Sequence, residues 1–491
     1  MKKYILGRIV RAILSICIVV GIVIVLVYQL VPKDKMFNDD PNISKLHGDN
    51  LVVYKYKKWE QVGYLDYVTQ QDLCENSSDY DACMVVGSDE ITATVAEYED
   101  KGYTINELEN GLVWGFKYRT SLSLITNFFA NLIEIDGPNK VVDESNPDLE
   151  RKVYFATDFN GRPAIKCSGC ENEYLLYFNG SFPFIHSNWI TLDFGTSYPT
   201  FNGIATLDVI SQGQGEKVKS EVEFDTGYTA TSSVNLYACS YKSTSTLDKL
   251  DIKKFSTNYA DCDDIYSAPS MINVSYLFGI LGIILSYLIA IPAGITMAQH
   301  KGKWQDSVGM VYINFMISVP SLAFIYIVKV IGMNFGLPDK FPQFGFTDVR
   351  SYILPVIILG LLGTSSLMIW MRRYMVDQTN SDYVKFARAK GLSQTEIFNR
   401  HILKNAVIPI VNGIPSSIIL AISGAVITET VFAIPGMGKM LPDSITAFNN
   451  VMIVCLAFIF TALSVFSLLI GDLLITIVDP RIKLSAKGDT R

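Results

Sequence analysis

The sequence predicts a polytopic α-helical membrane protein with six spanning helices and an α+β extracytoplasmic domain inserted between helices 1 and 2. Three observations carry that prediction. The 491 residues are 49% apolar and only 18% charged, with a mean hydropathy of +0.26, whereas soluble chains hold about a quarter charged residues. The charges are spaced so that six runs contain none: residues 12–32, 265–300, 307–328, 351–371, 405–428 and 444–471. Each run reaches the roughly 20 mostly apolar residues that cross a bilayer as a helix. The remaining charge divides by region. Residues 32–270 hold 20 Lys and Arg against 37 Asp and Glu, a net of −17, and the rest of the chain holds 21 against 11, a net of +10.

A soluble enzyme and a secreted protein are thereby excluded. An acidic domain argues against nucleic acid as a partner, because that needs clustered Lys and Arg. The predicted helices are 9–31, 272–297, 308–333, 351–375, 406–428 and 451–476. The first starts basically, with Lys2, Lys3, Arg8 and Arg11. Its apolar core is too long for a cleaved signal and no small-x-small site follows, so it reads as a retained signal-anchor. Short cytoplasmic loops collect Lys and Arg, and long translocated domains are exempt from that rule. With the N-terminus inside, the inner segments hold 17 of these residues and the short outer loops only Lys340, Arg350 and Lys439. The expected organisation is therefore a cytoplasmic N-terminus with helix 1 (1–31), an extracellular domain (32–270), a transmembrane domain (271–478, with a cytoplasmic loop at 376–404) and a cytoplasmic tail (479–491) in a cell-membrane, multi-pass protein. Lys329, near the outer end of the third helix, either snorkels to the interface or faces a transport path.

Within 32–270 the second half reads as strands: Lys152–Ala156, Tyr174–Phe178 and 221–224, bounded by the turn signals Asn160-Gly161, Asn179-Gly180 and Asp225-Thr-Gly227. In the first half, 90–110 reads as a polar helix and 128–135 as a short apolar one. Six cysteines lie in this domain: Cys74, Cys83, Cys167, Cys170, Cys239 and Cys262. An even number on the oxidising side suggests disulfides, with fifteen possible pairings. Nearest neighbours would give 74–83, 167–170 and 239–262. Cys167-Ser-Gly-Cys170 could instead be a redox pair or half a metal site, but no second CxxC or His-x-x-x-His accompanies it. Cys17 and Cys455 fall inside membrane helices as packing residues. None of the four histidines (His47, His186, His300, His401) has a nucleophile partner in the sequence, and no catalytic or metal site is expected.

The loop Arg372–Lys404 is the most informative stretch. It predicts a helix over 382–390, opened by Ser381 or Asp382 and ended by Gly391, then a second over 393–402. Ser393 and Glu396 have the spacing of a capping box. Ile397 and Phe398 give the second helix an apolar face beside Arg400 and His401. Periodicity alone would also suit an inert interfacial hairpin.

The residues themselves add more. Asp382-Tyr-Val-Lys-Phe-Ala-Arg-Ala-Lys-Gly-Leu-Ser393, then His401-Ile-Leu-Lys-Asn405-Ala and Pro409, resemble the cytoplasmic loop of the oligopeptide/dipeptide permease family, the membrane subunits of ATP-binding-cassette (ABC) importers. The family's Glu-Ala-Ala-x-x-x-Gly register falls on Lys385-Phe386-Ala387 and Gly391. Asp193-Phe-Gly-Thr-Ser-Tyr198, Glu429-Thr-Val-Phe-Ala-Ile-Pro-Gly-Met-Gly438, Asp472 and Asp479-Pro-Arg-Ile-Lys483 resemble further family segments. The resemblance covers about 1–35 and 174–484. The large insert resembles the Gram-positive, streptococcal-type branch.

That resemblance implies a type I ABC importer permease fold with no covalent chemistry of its own, translocating oligopeptides by alternating access. It implies a homologous second permease subunit, two ATPase subunits that bind ATP and Mg, and an extracellular peptide-binding lipoprotein. No cofactor is expected in this chain, which carries no GxxxxGK[ST] loop. Contact with the ATPases would fall to Ala387, Ala389, Gly391, Leu392, Ser393, Glu396, Ile397, Arg400 and His401. Within the family, dipeptides, nickel chelates or another small solute are alternative cargoes. Of other classes, a sensory receptor would need only one or two anchoring helices, and a secondary transporter would show inverted repeats and ionisable groups at mid-membrane. Polar positions of the later helices are candidate path lining: Asn314, Ser318, Ser321, Thr364, Ser365, Ser366, Asn412, Ser416 and Ser417. Small polar residues also serve helix packing, and the sequence leaves both roles open.

Overall fold

The computed structural model describes residues 2–38, 40–75, 77–140, 150–157, 161–170, 172–178, 185–211, 217–223, 229–233, 264–265, 270–343, 348–421 and 425–478. Cys239, Cys262, the turn at 225–227 and the segment 479–483 lie outside them. Among the described residues, four helices are long and apolar enough to cross a membrane, and six crossings result if each of two bent pairs counts as one. The straight ones are Lys2–Leu30, Met271–Gln299, Arg350–Thr379 and Asn450–Val478.

The predicted third helix, 308–333, is corrected. It is two helices, Trp304–Ser318 and Ser321–Asn334, meeting at 107°. Pro320 has no N–H to donate, and its ring pushes Val319 into extended backbone (ψ 125°). The predicted fifth helix, 406–428, is also corrected. It runs only over Ile408–Leu420, bent by 42° from the hairpin before it, and a separate helix occupies Val426–Phe432.

Helices Met271–Gln299 and Arg350–Thr379 form the spine of the membrane region. Gly282, Ser286, Ala290 and Gly294 recur every fourth residue and are all buried. This small-residue stripe lets the two backbones approach. A Cβ on Gly282 would meet that of Leu359 at 2.8 Å, and one on Gly294 that of Met371 at 2.7 Å. Ser286 Oγ donates to the Gly360 carbonyl at 2.5 Å, so the stripe's hydroxyl is satisfied across the interface.

The inserted region is built from small antiparallel sheets. Val113–Tyr118 is central between Leu65–Thr69 and Thr104–Glu107. Lys152–Thr157, Pro163–Ser168, Tyr174–Phe178 and Ile185–Ser187 form a meander. Lys217–Glu223 pairs with Thr229–Ser233 and Asp264–Ile265. The expected helix at 90–110 stops early. It spans Asp89–Asp100, capped by Ser88, and Thr104–Glu107 is a strand. Gly102, at φ +85°, turns the chain between them. The expected helix at 128–135 is displaced to Ser121–Asn131, and Ile133–Ile135 is extended against Ile190–Leu192. Two nearest-neighbour disulfides are present, Cys74–Cys83 and Cys167–Cys170. Among the described cysteines, Cys17 and Cys455 are free.

The insert is seated on the last long helix. Met36, Phe37, Trp59, Tyr64, Trp114 and Tyr198 share one buried cluster with Val451. Asn449 Nδ2 donates to Ser197 Oγ and Thr200 Oγ1, both at 2.8 Å, and Asn450 Nδ2 donates to Tyr64 Oη at 2.5 Å. Ser197 and Tyr198 belong to the Asp193–Tyr198 segment, which therefore forms the seam between insert and membrane helices. Asp40 completes it, accepting from Tyr198 Oη at 2.5 Å and Tyr54 Oη at 2.7 Å.

Candidate functional site

The loop after helix Arg350–Thr379 folds as a helical hairpin. Its first arm is Asp382–Ala389. Ser381 stands at the cap, but its hydroxyl donates back to the Gln378 carbonyl at 2.6 Å. Gly391 ends the arm at φ +78°, the left-handed conformation that glycine adopts without strain at a helix C-terminus. The second arm opens with a complete capping box. Ser393 Oγ accepts from Glu396 N at 3.3 Å, and Glu396 Oε2 accepts from Ser393 N at 3.2 Å. The arm then widens into a π-helical stretch, Ile397–Ile402, before Leu403–Ala406.

The hairpin's two faces divide the expected contact residues. Ala387 and Ile397 are buried, in one cluster with Met371, Met375, Val384 and Ile402. Tyr287, Ile291 and Ile295 of helix Met271–Gln299 pack on that cluster. These two residues are therefore corrected from outward contacts to the joint between hairpin and spine. Ala389, Gly391, Leu392, Ser393, Glu396 and Arg400 are exposed, and His401 is half-buried. Phe386, at 63% exposure, is a further outward residue, and Lys390 Nζ lies 4.7 Å from its ring centroid. A cavity of about 480 Å³ beside the hairpin is lined by His300, Lys301, Arg388 and Gln394 among others.

The joint is reinforced by an ion pair the sequence reading missed. Arg372 Nε and Nη2 donate to Asp306 Oδ1 and Oδ2 at 2.6 and 2.8 Å, and Gly302 N donates to Oδ2 at 2.9 Å. The spacing of 66 residues left no local signal for it.

The candidate path residues do not form one set. Asn314, Ser318 and Ser321 are exposed around the bend at Val319-Pro320, as is Ser366. Thr364 is fully buried, its Oγ1 2.6 Å from Tyr312 Oη, and Ser365 is buried beside it, so both pack helices together. Ser416 Oγ donates to the Ser467 carbonyl at 3.1 Å, and Ser417 Oγ donates within its own helix to Gly413. Asn412 has a buried Oδ1 with no hydrogen-bond partner among the described residues.

The segment 429–438 wraps around one buried carboxylate. Glu429 Oε1 accepts from Ser275 Oγ at 2.8 Å, and Oε2 accepts from Lys439 N at 2.8 Å. Ser275 Oγ in turn accepts from Met437 N at 2.8 Å. A Cβ on Gly438 would come within 2.9 Å of Glu429 Oε2, which is why glycine sits there. Lys329 faces the same corner. Its Nζ donates to the Val431 carbonyl at 2.9 Å and lies over the Phe432 ring.

A spine of long apolar helices, a broken span and an exposed helical hairpin define a membrane permease component. The family described as binding-protein-dependent transport system inner membrane component matches residues 290–484. The oligopeptide transport system permease protein AmiC of Streptococcus pneumoniae is 44% identical over 497 residues, covering 99% of this chain and 100% of its own length. The dipeptide transport system permease protein DppB of Lactococcus lactis is 32% identical over 43% of this chain and 69% of its own. A solved chain of the MetNI methionine ABC transporter, inward facing, covers 43% of this chain and 94% of its own at 15% identity, with a TM-score of 0.34. The chain belongs to this family of ABC-transporter permeases, and the similarity to AmiC extends through the insert.

Proposed function

We propose that this chain is one of two permease subunits of an ABC importer for oligopeptides, working by alternating access. The observation that carries the reading is the end-to-end similarity to a pneumococcal oligopeptide permease, insert included. Two ATPase subunits bind ATP and Mg, and an extracellular peptide-binding lipoprotein delivers cargo. Both termini and the hairpin lie in the cytoplasm, in keeping with the distribution of Lys and Arg, and the insert lies outside.

The hairpin geometry supports the mechanism. Leu392, Ser393, Glu396 and Arg400 form the surface that meets an ATPase, and Phe386 extends it. The capping box and Gly391 hold the arms in fixed relation. Ala387 and Ile397 pack on Met371 and Met375, so a displacement of the hairpin pushes directly on helix Arg350–Thr379 and, through Ile291 and Ile295, on its partner in the spine. Packed cores pass such displacements on because they are close to incompressible. The bend at Val319-Pro320, with Asn314, Ser318 and Ser321 around it, is the polar surface best placed to line the path, together with Ser366 and Asn412.

The test is reconstitution of the purified assembly in liposomes. Uptake of a labelled oligopeptide should require both external binding protein and internal ATP. Uptake of a dipeptide or a nickel chelate in its place would reassign the cargo, and uptake without ATP would reject the reading.

A further inference from the structure

Between Arg119 and Glu134 the acidic insert carries 14 residues without a charge, 120–133. A run of that length is too short to cross a bilayer as a helix and has the length of a re-entrant or interfacial segment. Residues Ser121–Asn131 form a helix capped by Thr120. That helix packs beside the first and last spanning helices. Gln29 Nε2 donates to Ser121 Oγ at 2.6 Å, and Ile125 Cδ1 comes 3.6 Å from the position of a Cβ on Gly21. Gly21 lies eight residues before Gln29, about 12 Å deeper along the helix axis. It stands almost midway between Arg11 and Lys33, the charges that bound the first span. Phe128 meets Phe458, eight residues into the last helix from Asn450, with ring centroids 6.4 Å apart.

The outward face of this element carries no charge. Leu122 is 71% exposed, and Thr126 and Ala130 continue its stripe at four-residue spacing. Thr126 Oγ1 donates to the Leu122 carbonyl at 3.0 Å, so its hydroxyl is satisfied without water. The stripe runs on into the paired strands, where Ile135 stands opposite Ile190. Ile133, Ile135 and Ile190 are each at least 60% exposed, and Trp189 follows at 45%. Alternation along the strand puts Glu134 on the other face, where Lys140 pairs with it. Asn127 and Asn131 turn to the remaining side, lining a cavity of about 200 Å³ with Glu60, Gln61 and Arg119.

We propose that helix Ser121–Asn131 and the strand pair after it are immersed in the bilayer leaflet holding the Leu30 end of the first helix. Leu122, Ile133 and Ile190 contact acyl chains, and Trp189 lies at the headgroup boundary. Lipid is the occupant because the face carries no charge and satisfies its one hydroxyl internally. It also adjoins the first spanning helix, whose Ile18, Ile22 and Leu26 are likewise exposed. An indole at the edge of such a band is the usual interfacial arrangement. The insert is then held by the membrane itself as well as by its seam with Asn449 and Asn450.

The test uses the complete reconstituted transporter in a Cys17→Ser, Cys239→Ser, Cys262→Ser, Cys455→Ala background. Single cysteines replace Leu122, Ile133 or Ile190, each carrying an environment-sensitive fluorophore. Leu26→Cys serves as the lipid control and Glu99→Cys as the water control. Lipids brominated on the acyl chain should quench all three positions at least about half as strongly as position 26, while iodide leaves them unaffected. Quenching by iodide as at position 99 would overturn the proposal. Protection from both quenchers would also overturn it, in favour of a protein interface. Each position is read only in assemblies that retain peptide uptake, and the three positions are read independently. The readout does not depend on which side of the membrane the insert faces or on the cargo, so its failure is distinct from failure of the transport reading.

Discussion

Arg372 grips Asp306 with two hydrogen bonds, Nε to Oδ1 at 2.6 Å and Nη2 to Oδ2 at 2.8 Å, tying the start of the broken span to the spine helix about two turns before that helix ends at Thr379. Asp306 is 7% exposed in its side chain and Arg372 25%, so the pair is only partly screened. Arg372→Ala strands the carboxylate and should cost roughly 1–3 kcal/mol, read as a lower Tm of the purified assembly. Arg372→Lys keeps the charge but not the paired geometry and should recover only part of the loss. A variant as stable as the parent would show that the pair does not hold this joint.

Gly391 offers a cleaner probe of the hairpin than any contact residue. Its φ of +78° strains a β-branched side chain, at roughly 1–3 kcal/mol, although nothing lies within 4 Å of the added Cβ. Gly391→Val should insert and assemble normally yet lose most peptide uptake and peptide-stimulated ATPase activity. Gly391→Asn, which tolerates the left-handed region, should keep most of both. Full activity in the valine variant would reject the coupling role.

The seam under the insert has a predictable pH response. Burial alone would raise the Asp40 carboxyl pKa, but hydrogen bonds from Tyr198, Tyr54 and Asn42 outweigh it and hold the group below its ordinary value of 3.8. A depressed folded-state value gives stability that is complete above the unfolded value and is lost as pH falls through the lowered one. Asp40→Asn should therefore destabilise the insert near neutral pH, by roughly 1–3 kcal/mol. Its difference from the parent should shrink below about pH 4. Unfolding followed by tryptophan fluorescence across pH reads this directly, and a difference that grows with acid would contradict it.

The two described disulfides close short loops, nine and three residues in sequence separation. In the chain-entropy account, the longer should contribute roughly 2–3 kcal/mol. Alkylation of the denatured, unreduced protein should leave Cys74, Cys83, Cys167 and Cys170 unmodified while labelling Cys17 and Cys455. Labelling of Cys167 and Cys170 before reduction would reopen a redox role for that pair.

The parts legible in the sequence were those with local causes. Glycine at a helix end and a Ser/Glu pair three apart act within one turn, so Gly391, Ser393 and Glu396 could be placed without a fold. Positions set by distant packing could not. Ala387 and Ile397 turn inward because Met371 and Met375 lie beneath them, a fact carried by no period in the hairpin itself. Hydropathy reads 307–328 as one continuous run, whereas Pro320 breaks its backbone; a proline inside the run was the available signal. The partners of Asp306 and Glu429 stand 66 and 154 residues away, beyond any local pattern. The 14 uncharged residues at 120–133 fell short of a span and were read only in part, as an apolar helix placed too late.

The central claim is that the exposed edge of the hairpin meets an ATPase subunit, and a photo-crosslinking residue in place of Leu392 tests it most directly. Leu392 is 37% exposed, at the tip beside Gly391 and away from the buried joint. In the intact transporter the account predicts a crosslink to an ATPase subunit whose yield changes when ATP analogues close the two ATPases. A crosslink confined to lipid or to the second permease, or no crosslink in a complex that still transports, would contradict it.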